Sequence, residues 1–313
     1  MPMPVLQAVT AGLVLLFLAA PANAAQITRT YVASNGIDAN DCKLPTPCRT
    51  FAGAYLNTTA GGEIDVLDSD GYGALTINHA LSIVNNGTGN AAMIPAVNGV
   101  GITIAAGPSD AIMLRGLTID GQGNSNSTGI KFTTGGSLTI QDCVIRHVTD
   151  NGIDFAPTGA SKLSVSDSAL DDNGGTGVYI APAAGGSVKA ALNRIETNGN
   201  LDGVFANGSS LAGLIFVSVA DSTVANNSSV GLALYGYQSA KMVATRDIVT
   251  GNDDGLQTKY AGAILWIGQS TVGGNSGFGY DNESGNLYSF GTNQWLDNDV
   301  YTPTFPPTLV PPQ

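Results

Sequence analysis

Four charged residues recur at nearly constant spacing along the middle of the chain: Asp120, Arg146, Asp171 and Glu196. A second set, Lys131, Asp154, Tyr179 and Phe205, repeats in step with it. Paired carboxylates beside an arginine can act as general acid and base or hold Ca²⁺, and aligned aromatic rings can stack on a sugar. His147 lies between the two sets, together with the turn acids Asp150 and Asp172. The candidate catalytic groups are therefore Arg146, His147, Asp171 and Glu196, and the candidate ligand-binding groups are Asp120, Lys131, Asp154, Tyr179 and Phe205. No metal ligand set can be assigned: His79 and His147 are the two histidines, and neither has a partner at metal spacing. A structural reading stands beside the chemical one, because alternating Asp and Arg can form a solvated salt-bridge ladder and aromatics favour strands.

Something must bring residues about 25 positions apart into one line. An aliphatic residue, a short Asn-rich turn and a Gly-apolar pair recur seven times, with first members Ile119, Ile145, Leu170, Ile195, Val224, Val249 and Val272. The spacings, 22 to 29 residues, are those of a solenoid. Within one repeat the apolar residues alternate, as in Leu163 and Val165, then Leu170, then Val178 and Ile180. Period two means strands, and three short strands per repeat imply a triangular parallel β-helix of about nine coils. A strict six-residue period is absent, so the right-handed form is expected. The expected fold class is all-β, with a short N-terminal α-helical cap begun by Thr50 as N-cap.

Counting three residues past the last five aliphatic markers gives Asn173, Asn198, Asn227, Asn252 and Asn275, an expected ladder of stacked amides, from which the first two coils depart with Gln122 and Val148. Asp142, Asp167 and Asp221 recur three residues before their markers, where a turn calls for a side-chain acceptor.

Residues 1–24 hold no acid, an apolar run and the triplet Ala22-Asn23-Ala24, which reads as a signal peptide cleaved after Ala24. Residues 25–60 form the expected cap, 61–300 the β-helix and 301–313 a tail with too many prolines for ladder pairing. Cys42 and Cys48 flank a short loop that a disulfide can close, which suits an oxidising compartment. Cys143 falls in step with inward positions and is expected as a buried thiol. No stretch of 18 apolar residues follows the leader, so no membrane span is expected. A net charge of −12 disfavours nucleic acid and anionic membrane, and a polyanionic polysaccharide would need a bridging cation.

With Tyr31-Val-Ala-Ser-Asn-Gly-Ile-Asp38, Pro47-Cys48-Arg49-Thr50-Phe51 and coils such as Ser168-Ala-Leu-Asp-Asp-Asn173, residues 30–300 resemble the pectate-lyase-like superfamily of right-handed parallel β-helix proteins. That resemblance implies fold more than activity, since such proteins include lyases, hydrolases, uronan epimerases and adhesins. The Gly-His-Gly and Arg-Ile-Lys elements of polygalacturonase-like hydrolases and the Asp-Pro-His-Glu of alginate epimerases are missing. The expectation is an exported, periplasmic or extracellular monomer that binds polysaccharide on a lateral face. Catalysis and a Ca²⁺ requirement are left open, and a non-enzymatic structural or adhesive role is the rival.

Overall fold

A computed structural model describes residues 27–209, 213–299 and 308–309. The expected leader and its cleavage point lie outside the described residues. The chain winds as a right-handed parallel solenoid of about nine coils. One face is a nine-stranded parallel sheet with one strand per coil, from Leu75–Ile77 to Tyr280–Glu283. The other two faces merge into a twenty-stranded sheet. The merger comes from the 12-residue strands Ala160–Asp171 and Ser187–Asn198, which run through the corner between these two faces.

Registers hold from coil to coil, so inward residues form columns. Leu138, Leu163, Ala190, Val217, Met242, Leu265 and Leu287 pair successively, all buried. Shared columns make neighbouring coils complete each other's core. A coil alone could not offset the ordering of about 25 residues at 1 kcal/mol or more each.

The corners are built from left-handed residues followed by buried polar ladders. At one corner Gly116, Asp142, Asp167, Arg194, Asp221, Arg246 and Gln269 all have φ between 50° and 68°. Asp142, Asp167 and Asp221 sit there because short polar side chains tolerate this backbone, and each accepts an arginine from the adjoining coil. At the next corner His147, Asp172, Asn226 and Asp297 take φ near 54°.

The amide ladder follows this second corner, and one of its expected members is wrong. Asn173, Asn200, Asn227, Asn252, Asn275 and Asn298 are its rungs; Asn173 accepts from Val148 N–H, and each later rung receives hydrogen bonds from the Nδ2 and backbone N–H of the rung before. Asn198 is displaced because Ile195 is not the marker of its coil. Glu196 pairs with Ala169, and Thr197 pairs with Val224, so Thr197 occupies the aliphatic column. Ile195 is buried one step earlier, at the first corner.

Thr197 is fully buried and its hydroxyl has no partner. Replacing it with the near-isosteric Val should raise the unfolding free energy by about 1 kcal/mol, measured by urea denaturation. No gain would mean that the hydroxyl is satisfied.

Helix α1, Phe51–Asn57, covers the first coil. The Thr50 hydroxyl accepts from Gly53 N–H at 3.0 Å, while Asp38 accepts from the Arg49 and Thr50 N–H groups at 2.8 Å. Phe51 is buried against Tyr72, with ring centroids 5.2 Å apart. Cys42 and Cys48 form a disulfide and Cys143 is a buried free thiol. At the far end, Thr308–Leu309 pairs in parallel with Tyr288 and Ser289. This part of the expected tail therefore does join the ladder, within the short proline-free stretch between Pro307 and Pro311, where each residue keeps its N–H. Among the described residues no helix is long and apolar enough to cross a membrane.

Candidate functional site

The first charged column is three residues deep. Asp120 pairs with Arg146 and Arg146 with Asp171 in register, but the next place belongs to Asn198, opposite Asp171, and not to Glu196. Glu196 is exposed two residues away along its strand. Its expected place fails for the reason Asn198 failed, the misread marker in that coil.

Asp120 gathers its neighbours. Its Oδ2 accepts from Arg146 Nε at 2.9 Å, and its Oδ1 faces His147 Nδ1 at 3.1 Å and accepts Gln122 N–H at 3.0 Å. Burial pushes the Asp120 carboxyl up, but Gln122 N–H, His147 and Arg146 together outweigh it and hold the group below its usual value. Asp171 goes the other way: burial raises it, opposed by the hydrogen bond from Asn198 N–H at 3.0 Å. Arg146 is thus engaged with Asp120, Asp171 with backbone, and Glu196 stands apart. His147 and Asp172 line a shallow open depression of about 640 Å³ with Gln122, Thr149 and Gly174, but Arg146, Asp171 and Glu196 do not. No described group of three or more His, Cys, Asp or Glu side chains has metal-holding geometry.

On the nine-stranded face the second set does form one column: Lys131, Asp154, Tyr179 and Phe205 are successive register partners. Lys131 Nζ lies 3.7 Å from Asp154 Oδ2. Burial raises the Asp154 carboxyl, and Lys131 offsets part of that. Beyond Phe205 the column continues with Ala233, Gln257 and Asp281, while the aromatic line moves one column sideways. Phe205 packs edge-on against Tyr179 at 5.4 Å and against Tyr235 at 4.6 Å. Tyr235 meets Tyr260 at 6.1 Å, and Tyr237 stacks on Tyr260 at 3.9 Å.

Five rings therefore form a continuous strip over four coils, about 15 Å along the solenoid axis. Polar groups fix its members. Asn207 Nδ2 donates to the Tyr179 hydroxyl at 3.1 Å, and the Tyr235 hydroxyl donates to Gln257 Oε1 at 2.5 Å. Gln257 Nε2 in turn donates to Asp281 Oδ2 at 2.8 Å. Lys259 Nζ stands 5.4 Å above the Tyr235 ring and pairs with Glu283. Four half-buried rings and the exposed Tyr237, flanked by carboxylates, an amide and an ammonium, present apolar faces beside donors and acceptors, which suits a ligand with both C–H and O–H surfaces.

Tyr235, Tyr237, Tyr260, Gln257 and Lys259 were missed in the sequence because Ala233 follows Phe205 in the column. The alternation Leu232-Ala-Leu-Tyr235-Gly-Tyr237 was the available signal: Tyr235 and Tyr237 share the outward phase of Ala233.

Residues 52–212 and 98–276 match the family described as "Right handed beta helix region". Among solved structures, pectate lyase Pel9A superimposes with a TM-score of 0.57 at 15% identity, covering 90% of this chain and 78% of that one. The Azotobacter vinelandii mannuronan C-5 epimerase AlgE4 A-module gives a TM-score of 0.45 at 15% identity, covering 80% and 90%. No curated protein sequence matches significantly.

Proposed function

The chain belongs to the right-handed β-helix family, and from that premise we propose that it binds an extracellular polysaccharide along the aromatic strip of its nine-stranded face. The observation that carries this reading is the run Tyr179, Phe205, Tyr235, Tyr260 and Tyr237 in unbroken ring contact. Rings fixed on consecutive coils of a rigid solenoid lose little freedom on binding, which favours stacking over adaptable loops. A polysaccharide ligand also accords with the pectate lyase among its structural neighbours. Export fits the same reading, since the Cys42–Cys48 disulfide belongs in an oxidising compartment.

Binding without chemistry is the preferred form of the proposal. The candidate catalytic groups are tied to separate partners: Arg146 to Asp120, and Asp171 to the Asn198 backbone. Titration calorimetry against oligosaccharides, with and without Ca²⁺, tests the strip. Tyr179→Ala, Phe205→Ala and Tyr235→Ala should each weaken binding about tenfold, close to 1.4 kcal/mol per ring, with the melting temperature unchanged. Full affinity in all three would end the strip assignment. Release of reducing or unsaturated ends would overturn the non-catalytic form of the proposal. Absence of any glycan binding would favour a structural strut.

A further inference from the structure

Nine of the twelve cations in the chain are ion-paired: every Arg, together with Lys43, Lys131 and Lys259. The three without a carboxylate partner among the described residues are Lys162, Lys189 and Lys241. They fall in one outward column of the twenty-stranded sheet. Lys162 pairs in register with Lys189, Lys189 with Phe216, and Phe216 with Lys241.

Like charges directly opposite on adjacent strands repel, and these lie about 4.8 Å apart for the first pair and about 10 Å for the second. Elsewhere the chain relieves such strain with an acid; here it does not. From Ser137 to Gly268 the outward strand positions of this face, up to the first corner, carry no Asp or Glu. The nearest corner acids are already occupied, Asp167 by Arg194 and Asp221 by Arg246. In a chain of net charge −12, this face is locally cationic.

The column also borders a trough. Thr139, Ser164, Ala191 and Ser218 form the adjoining outward column, and their small side chains leave a depression of about 450 Å³ walled by Lys162, Lys189 and Phe216. A second depression of about 250 Å³ adjoins it beside Ser161, Ser187 and Leu214. Farther along, Trp266 and Tyr288 stack at 5.9 Å in the column of Ser218. Hydroxyls on the floor, ammonium groups on one wall and aromatic rings in line follow the solenoid axis.

We infer that this face is a second glycan site, separate from the aromatic strip, and that it takes a linear polysaccharide bearing carboxylate or sulfate groups by direct contact with Lys162, Lys189 and Lys241. A bridging cation, expected from net charge alone, is not required, because the local charge has the opposite sign. The serine-rich floor favours a hydroxylated chain over a nucleic acid, and the grooved surface favours a chain over a flat lipid headgroup layer.

The experiment uses the whole protein in EDTA, titrated with polygalacturonate and with its fully methyl-esterified, uncharged form. Wild type should bind the charged probe and lose affinity with added salt, and should bind the ester far more weakly. Lys162→Gln, Lys189→Gln and Lys241→Gln combined should weaken binding about tenfold or more, while Lys→Arg at the same positions retains it. Lys43→Gln, which removes a cation from the N-terminal Cys42–Cys48 loop outside both sites, should leave this affinity unchanged, so that a loss in the triple variant reports this column and not net charge. Unchanged affinity in the triple Gln variant, or binding by wild type only when Ca²⁺ is supplied, would overturn the inference. Tighter binding to single-stranded DNA or to phosphatidylglycerol vesicles than to the glycan would also overturn it.

Discussion

Replacing Asp247 with Asn should stabilise the solenoid at pH 8.5 and have little effect at pH 4.5. Asp247 belongs to the first-corner column with Cys143, Ser168, Ile195, Ser222, Ser270 and Asn293, in which the Ser168, Ser222, Asp247, Ser270 and Asn293 side chains accept backbone N–H groups of the preceding coil. Cys143 N–H donates to Ser168, Ile195 N–H to Ser222, Ser222 N–H to Asp247, Asp247 N–H to Ser270 and Ser270 N–H to Asn293. Three hydroxyls of this ladder also donate to the carbonyl two residues back: Ser168 to Ser166, Ser222 to Ala220 and Ser270 to Gly268. An ionised Asp247 has no proton to give, and its Oδ2 is buried without a partner.

Burial pushes the Asp247 carboxyl up to about 7, against the hydrogen bond from Ser222 N–H. Because the folded pKa lies above the unfolded one, folding takes up a proton between about pH 4 and pH 7. The resulting stability is fully present below pH 4 and is lost as pH rises through 7. Raising the carboxyl from its ordinary value near 4 to about 7 corresponds to roughly 4 kcal/mol, so the Asn variant should exceed wild type by up to that amount at pH 8.5. Urea unfolding of both proteins at the two pH values measures the difference. An equal difference at both would show that Asp247 does not titrate in this range.

Asn227→Ala should be among the most damaging single changes away from the aliphatic core. Its Nδ2 donates to Thr197 O at 2.9 Å and to Asn252 Oδ1 at 2.8 Å, and its Oδ1 accepts from Asn200 N and Nδ2 at 3.0 and 3.2 Å. Truncation removes four hydrogen bonds in a buried turn: Thr197 O and Asn200 N–H lose this partner, while Asn252 Oδ1 keeps Asn227 N–H and Asn200 Nδ2 keeps Leu170 O, and each unsatisfied group costs about 1–3 kcal/mol before relaxation. A loss of about 4 kcal/mol is expected. Asn298→Ala, at the last described rung, removes fewer bonds and should cost about half as much. Equal losses at the two positions, read from urea midpoints, would contradict a cooperative ladder.

The two ladders show what sequence can and cannot carry. Amide rungs recur at constant offset from an aliphatic marker, so four of the five expected rungs were readable, and the fifth failed in the coil that places Thr197, and not an aliphatic residue, at the inward position. The first-corner ladder was invisible because Cys, Ser, Ile, Asp and Asn all fill it, sharing position rather than chemistry. The column from Lys131 to Phe205 was legible because strand register is strict on that face. Its continuation through Tyr235, Tyr237 and Tyr260 was not, because contact passes between neighbouring columns and no single period encodes it. The lysine column was legible in principle: each lysine immediately precedes an inward residue, Leu163, Ala190 or Met242. What hid it was reading charge as a sum over the chain. Only pairing geometry separates three free cations from nine neutralised ones.

The most direct test of glycan recognition is electrophoresis of the purified protein through native gels cast with neutral or acidic polysaccharides, beside the Phe205→Ala/Tyr235→Ala double variant. At least one neutral polysaccharide should retard wild type, and the double variant should run unretarded in the same gel. Equal mobility of the two proteins in every gel would contradict recognition by the strip.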